Sequence, residues 1–383
     1  MSSTAHAFLA PSSAHRWIRC PGSALMQSKY PEQGDKQSAV EGTAAHWVME
    51  QMFLVGMVAR GAVAANSIVV TQEMLDGADI IVKDVIDTLG PSWPSMIRVE
   101  QPVQIPRVHK ENRGTPDVYA WFLPTRLYLW DYKFGHDQVE VFENWQLIDY
   151  VAGLLTAQNT ERAALGLDAV SETEIEVIMR ICQPRAYHPG GTIREWRCKA
   201  SDLRDYVFRL SMAADEACGD NPMCKPDPVA CEHCSARHVC DALQTATYRG
   251  MEVAKRAQAN EMSPAAVGLE LRYLTEIEGL IKARKTGLEQ QVDSLLRARN
   301  LVPHWRLAPG ETREAWVKPA AEVVALGQML GVDLAKPLEA ITPTQAKAKG
   351  LDATIVSRYS QRPPGALKLT FDDGTEARRV FSS

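Results

Sequence analysis

Two acidic residues and a lysine stand at the borders of two short apolar stretches. Asp117 begins the first stretch, Asp131 and Lys133 end the second, and a Pro124-Thr125 turn separates them. This pattern predicts two β-strands joined by a short turn. Because side chains alternate along a strand, Asp131 and Lys133 should share one face. Antiparallel pairing would bring Asp117 beside Asp131.

Such an arrangement predicts a cation site. Two adjacent carboxylates repel each other unless a cation lies between them, and Mg²⁺ or Mn²⁺ would suit oxygen ligands. The Lys133 ammonium could then orient or activate a water against a phosphodiester, or stabilise the charge that develops on it. An ordinary ion pair between Asp131 and Lys133 at a strand end is the alternative.

Periodicity predicts the elements that carry these residues. A short helix capped by Ser12 or Ser13 should end at Pro21-Gly22. Longer helices are predicted over residues 38–59, 73–89, 143–165, 200–217 and 263–300. Strands are predicted over residues 98–105, the two acid-bearing stretches and 174–183. The order is therefore helix, three strands, helix, strand, which predicts an α/β protein.

Two of these helices carry further candidate residues. His46 lies on the helix over residues 38–59, where its neutral imidazole could supply an extra ligand to a divalent ion. Gln146 and Tyr150 are four positions apart on the helix over residues 143–165 and so face the same way.

A cysteine cluster follows at Cys231-x₂-Cys234-x₅-Cys240. Three thiols within ten residues leave room for one more ligand around a tetrahedral zinc ion or a cubane iron–sulfur cluster. A zinc site would take its fourth ligand from the nearby residues Cys218, Cys224, His233 or His238. An iron–sulfur cluster could recruit its fourth ligand from anywhere in space.

Composition sets outer limits on the function. The 383 residues are 45% hydrophobic and 23% charged, as expected of a globular protein, and the net charge is −5. Any nucleic-acid contact must therefore come from local basic patches. The N-terminal residues do not read as a signal peptide and no apolar run is long enough for a membrane span, so we expect a cytoplasmic protein without a membrane partner.

These motifs resemble those of the PD-(D/E)XK nuclease superfamily, and RecB-like nucleases in particular, over residues 12–245. His46 matches the motif histidine, Asp117 the first acid, Asp131-x-Lys133 the second acid and lysine, and Gln146-x₃-Tyr150 the motif that follows. The resemblance implies an α-β-β-β-α-β core with a mixed central sheet flanked by helices. It also implies a nuclease domain over residues 1–245, followed by a helical segment over 246–300 and a small α+β module over 301–383.

The same resemblance implies roles for the matched residues. Asp117, Asp131 and the Tyr132 carbonyl would hold Mg²⁺ or Mn²⁺, with His46 as a further ligand. Lys133 would position the attacking water or stabilise the transition state. The catalytic set would be completed by Gln146 and Tyr150, which would bind phosphates of the scissile strand or Lys133.

The cysteines resemble those of the iron–sulfur nucleases, such as the CRISPR-associated adaptation exonucleases. In those proteins a distant first cysteine closes a [4Fe–4S] cluster, and Cys20 matches it here. The cluster would staple the N-terminal helix to Cys231, Cys234 and Cys240. Cys224 has no counterpart, which leaves zinc open as the alternative.

The implied function is a metal-dependent DNA exonuclease acting on linear ends, single- or double-stranded. The full-length pattern, including Arg16-Trp17-x₂-Cys20-Pro21-Gly22, also resembles an uncharacterised phage and prophage family. This resemblance implies a role in phage recombination, replication or end processing within a bacterial host, with a phage recombination protein or a second copy as partner. A catalytically silent DNA-binding scaffold and a zinc-stabilised interaction module are the alternatives.

Overall fold

The computed structural model describes residues 8–32, 37–122, 124–254, 262–308 and 375–381, together with positions 322, 325 and 329. Contacts divide the chain into one unit of residues 1–294 and 374–383 and another of residues 295–373. In the tail over residues 301–383 the sequence predicts strands at 305–307 and 366–371 and helical pieces at 320–330 and 344–349. The strand at 305–307 is wrong, because these residues are irregular. The other strand, the piece at 344–349 and most of the piece at 320–330 lie outside the described residues.

The helices, in chain order, are α1 (Ala14–Trp17), α2 (Gly22–Lys29), α3 (Gln37–Val55), α4 (Gln72–Leu89), α5 (Trp93–Met96), α6 (Trp145–Ala164), α7 (Arg204–Ala217), α8 (Pro228–Glu232), α9 (Asp241–Ala254), α10 (Pro264–Arg297) and α11 (Thr375–Phe381). The strands are β1 (Ile97–Val99), β2 (Val103–Gln104), β3 (Arg113–Gly114), β4 (Val118–Trp121), β5 (Arg126–Tyr132), β6 (Glu176–Cys182) and β7 (Ile193–Lys199). Within the described part of the chain, no helix is both long and apolar enough to cross a membrane.

Five strands form a mixed sheet in the order β1-β4-β5-β6-β7. Strands β5 and β6 are parallel, with α6 between them in the chain, and the other neighbours are antiparallel. The predicted order of helix, three strands, helix and strand is present, with the small β2–β3 hairpin inserted in it. Val118 pairs with Trp130, so the residue before β4, Asp117, comes level with Asp131.

Each face of the sheet is covered by helices. Alternation along β5 directs Leu127 and Leu129 into the core shared with α6, whereas Trp130 and Tyr132 enter the core under α3 and α4. All four side chains are buried. Asp131 has the same parity as Leu127 and Leu129, so it lies on the face covered by α6.

The predicted strand over residues 98–105 is two strands in two sheets. It is interrupted at Glu100, whose φ of +47° lies in the left-handed region that non-glycine residues rarely adopt. The Glu100 amide donates to the Asp117 carbonyl at 2.9 Å. The kink therefore brings an acidic side chain next to the start of β4.

Helix α2 and strand β7 are absent from the sequence prediction. Pro21-Gly22 ends the first helical turns but also begins α2, because proline is well suited to the start of a helix. Strand β7 was not predicted, since its exposed charged residues alternate with only a few buried ones such as Trp196.

Asp149 on α6 should make the free energy of unfolding depend on pH. It is fully buried, and both of its oxygens accept from Asn112 Nδ2, at 2.8 and 3.0 Å. Burial raises the Asp149 pKa to about 7, and the bond from Asn112 offsets only part of this. A carboxyl with a raised folded-state pKa loses stabilisation as pH rises from its unfolded pKa, about 4, to the folded one.

We therefore expect Asp149→Asn to gain stability relative to wild type as pH rises from about 4 to 7. The difference should reach up to about 4 kcal/mol and stay constant above pH 7. Urea unfolding of both proteins across this range measures it. A difference independent of pH would contradict the assignment of a raised pKa to Asp149.

Candidate active site

Asp117 and Asp131 come from neighbouring strands and meet at the end of the β4–β5 ladder. Asp117 Oδ2 accepts from the Tyr132 amide at 2.6 Å, which fixes its carboxylate against β5. Both acids are largely buried, with 8% and 2% of their surfaces exposed. Two buried carboxylates this close need positive charge nearby to remain ionised together.

Part of that charge comes from His46 on α3. Its Nδ1 lies 3.2 Å from Asp117 Oδ1 and 3.5 Å from Glu100 Oε1. In the described residues, this is the one group of three or more histidine, cysteine or acidic side chains whose donor atoms all lie within 4.8 Å of one another. One nitrogen and two carboxylate oxygens are a donor set suited to a divalent ion such as Mn²⁺.

Lys133 and Gln146 lie on the side of the site that Asp131 forms. Lys133 Nζ lies 3.1 Å from Asp131 Oδ2 and donates to Gln146 Oε1 at 3.0 Å. Gln146 Nε2 in turn donates to Asp131 Oδ1 at 3.0 Å. Asn144 caps α6 by accepting from the Gln146 amide at 3.0 Å, so the helix start holds the glutamine in place.

The pKa values follow from burial and from these neighbours. Burial lowers the His46 pKa, but Asp117 and Glu100 outweigh it and raise the value to about 10. For Asp117 burial is outweighed by His46 and Lys133, so its pKa is lowered. Burial dominates at Asp131, and the pKa there rises to about 6 despite the attraction of Lys133. The carboxylates of Asp117 and Glu100 are therefore held together by the positive charge of the protonated His46 imidazole.

The two tyrosines near the site, Tyr132 and Tyr150, point in different directions. Tyr132 separates Asp131 from Lys133 and turns its buried ring to the opposite face, as alternation predicts; its carbonyl as a metal ligand stays a prediction. The Tyr150 hydroxyl donates to the Thr115 carbonyl at 3.0 Å, and the residue is buried. Tyr150 therefore fixes the segment that leads into Asp117, and phosphate binding by Tyr150 also stays a prediction.

Glu100 was not singled out in the sequence. It lies in a stretch that reads as a continuous strand, and the kink that turns it toward His46 leaves no local sequence signal. Its pKa is raised by burial, and Asp117 adds to this while His46 opposes it. Only the pairing of β1 with β4 brings Glu100 to the site.

We expect Glu100→Gln to weaken Mn²⁺ binding by about 10- to 100-fold, because it replaces a charged ligand with a neutral amide. Titration calorimetry with Mn²⁺ measures the change. Glu41→Gln is the matched control: Glu41 lies on the same helix as His46, pairs with Arg185, and should leave the affinity unchanged. Equal Mn²⁺ affinities for wild type and Glu100→Gln would show that Glu100 is not a ligand of the ion.

A second cluster of candidate ligands lies elsewhere in the same unit. One pocket is lined by the thiols Cys20, Cys224, Cys231, Cys234 and Cys240. The predicted quartet therefore comes together, from the turn before α2 and from α8 and the segment after it. Of the alternative zinc ligands, Cys224 joins them, whereas Cys218 lies 3.6 Å from His109 Nδ1.

The fold and the two clusters define an α/β protein with a mixed five-stranded sheet, a candidate divalent-metal site at one end of its β4–β5 ladder, and a separate pocket of thiols. The model of a family described as "Protein of unknown function (DUF2800)" matches residues 6–374, and the chain belongs to that family. Among solved structures, a candidate exonuclease from Eubacterium rectale is similar at 8% identity and a TM-score of 0.33, over 68% of this chain and 92% of the other. A likeness that distant carries no argument about function.

Proposed function

We propose that this protein is a metal-dependent nuclease of the PD-(D/E)XK type, which hydrolyses phosphodiester bonds at the ends of linear DNA. The observation that carries the proposal is the meeting of Asp117, Asp131 and Lys133 at one end of two paired strands, with Lys133 Nζ 3.1 Å from Asp131. The order of helices and strands around them supports the same proposal.

The residues present fit a divalent cation. His46, Glu100 and Asp117 place one nitrogen and two carboxylate oxygens within 4.8 Å of one another, and the buried Asp131 carboxylate lies beside them with Lys133 as its ion-pair partner. Buried carboxylates that outnumber the cations around them cost free energy, which a divalent ion would offset. Asp117, Asp131, Glu100 and His46 would hold the ion, which when bound would supply Lewis acidity toward a phosphate oxygen.

The chain's own groups would then do the positioning. The Lys133 ammonium would orient the attacking water and stabilise negative charge on the phosphate. Gln146 bridges Lys133 and Asp131 and so fixes the direction of both groups. The presence of both buried carboxylates and the lysine weighs against a catalytically silent scaffold, because a site that has lost its activity usually loses the lysine or an acid.

Digestion of linear and covalently closed DNA tests the proposal. We expect purified protein to degrade end-labelled linear DNA with Mg²⁺ or Mn²⁺, to leave closed circles intact, and to be inactive in EDTA. Substrates blocked at one end give the polarity. Intact linear DNA across a broad screen of metals would overturn the proposal.

We further propose that the thiol pocket holds a [4Fe–4S] cluster with Cys20, Cys231, Cys234 and Cys240 as ligands. The match of Cys20 and of Cys231-x₂-Cys234-x₅-Cys240 to the iron–sulfur nucleases supports the cluster, and these four thiols line one pocket, as a common metal site requires. Brown anaerobic protein absorbing near ~400 nm would agree with a cluster, whereas colourless protein containing zinc would establish the zinc alternative.

A further inference from the structure

The thiol pocket contains one cysteine more than the metal site proposed above would use. A [4Fe–4S] cluster and a tetrahedral zinc ion each take four protein ligands. The five thiols that line the pocket are Cys20, Cys224, Cys231, Cys234 and Cys240, none of which is in a disulfide. Provided that the pocket holds the proposed metal, one thiol is left over.

The cysteine motif and one backbone hydrogen bond identify the additional thiol. Cys231, Cys234 and Cys240 form the Cys-x₂-Cys-x₅-Cys motif, and Cys20 Sγ accepts from the Lys225 amide at 3.2 Å. Amide donors of this kind stabilise thiolates and are usual around metal-bound sulfur. Cys224 lies outside the motif, so with the ligand set proposed above it is the fifth thiol of the pocket.

The chain holds Cys224 directly beside Cys20. The Gly22 amide donates to the Met223 carbonyl at 3.0 Å, and the Lys225 amide donates to Cys20 Sγ at 3.2 Å. A Cβ on residue 22 would lie 2.7 Å from the Cys224 nitrogen and 2.8 Å from its Sγ. The two segments can approach this closely only because residue 22 is glycine. The thiols of Cys20 and Cys224 consequently occupy the same corner of the pocket.

We propose that Cys224 is a standby ligand, which takes the coordination position of Cys20 when Cys20 cannot bind the metal. The exchange is balanced: the Cys224 thiol gives its proton to solvent, its sulfur bonds to the metal ion, and any departing Cys20 thiolate takes up a proton. Electrons are neither gained nor lost. The site thereby tolerates loss of one ligand at this corner and not at the others.

Metal content of cysteine variants tests the proposal. Iron, acid-labile sulfide and zinc are measured per chain on anaerobically purified wild type, Cys20→Ser, Cys224→Ser, the double variant and Cys231→Ser. Cys218→Ser, outside the pocket, is the matched control. We expect each single change at positions 20 and 224 to keep at least about half of the wild-type metal, and the double variant to fall to the level of Cys231→Ser.

Two results would overturn the standby role while leaving the metal site intact. One is a Cys20→Ser variant with as little metal per chain as Cys231→Ser. The other is a double variant that keeps the wild-type amount of metal. Wild-type protein that holds neither iron nor zinc would instead overturn the cofactor proposal and the standby role with it.

Thiol labelling gives a second readout, and its first part needs only the wild-type protein. In metal-loaded wild type, iodoacetamide and peptide mass spectrometry should find Cys224 alkylated and the four ligands protected. In metal-loaded Cys20→Ser, Cys224 should become protected. Labelling of Cys20 with protection of Cys224 in wild type would reverse the assignment and overturn the proposal.

Discussion

Asp131→Asn is expected to abolish metal-dependent DNA cleavage, by at least about 10³-fold, while the folded protein persists. The change removes the carboxylate that faces Lys133 and would bind the cation, and a preorganised charged group in such a site contributes factors of this size. Asparagine has the same shape and can still accept from Gln146 Nε2, so local packing survives. Single-turnover digestion of end-labelled linear DNA with Mn²⁺ measures the loss.

The same substitution should change how stability depends on pH. Because burial raises the Asp131 pKa to about 6, the wild type loses stability as pH rises from about 4 to 6, and Asp131→Asn should lack this loss. Asparagine also removes the ion-pair partner of Lys133, which lies 3.1 Å from Asp131 Oδ2, and this lowers stability. Urea unfolding across this pH range measures both effects and shows that the inactive variant is folded.

Asp149→Asn is the matched control, since it is also a buried aspartate changed to its amide, on the helix that carries Gln146. We expect it to cleave DNA at the wild-type rate. Undiminished cleavage by Asp131→Asn, or equal losses in both variants, would contradict the role given to Asp131.

Cys231→Ser should empty the thiol pocket and lower the free energy of unfolding by about 5 kcal/mol. A metal bound to Cys20 and Cys231 closes a loop of about 210 residues, and a cross-link of that span restricts the unfolded chain by roughly this amount. The pocket lies between α2, which supplies Ser23 and Met26, and α8, which supplies Ala230 and Cys231. Anaerobic urea unfolding, with metal content measured on the same samples, gives both numbers.

Cys218→Ser should match wild type in metal content and stability, because Cys218 lies beside His109 and outside the pocket. Removal of metal from wild type by a chelator should reproduce the stability of Cys231→Ser. If Cys231→Ser loses its metal and keeps its stability, the metal does not stabilise the fold as a cross-link.

Much of the arrangement around Asp117 and Asp131 is predictable from sequence, because each residue lies at the border of an element with a strong local signal. Apolar alternation indicates β4 and β5, and the Pro124-Thr125 turn fixes their antiparallel pairing. The helix that carries Gln146 follows from its periodicity and from Asn144, a good cap. These signals depend on near neighbours in the chain.

The remaining features depend on distant contacts. Glu100 reaches the site through a backbone kink that exists only because β1 pairs with β4. Tyr150 meets the Thr115 carbonyl rather than open solvent because the fold buries its helix. Cys224 comes beside Cys20 through a close approach at Gly22, which the spacing of the cysteines does not encode.

The most direct measurement is the anomalous diffraction of crystals soaked in Mn²⁺. The account predicts one strong peak between the carboxylates of Asp117 and Asp131, within about 2.3 Å of an oxygen of each and next to His46. A map without a peak there, at Mn²⁺ concentrations that support DNA cleavage, would contradict it.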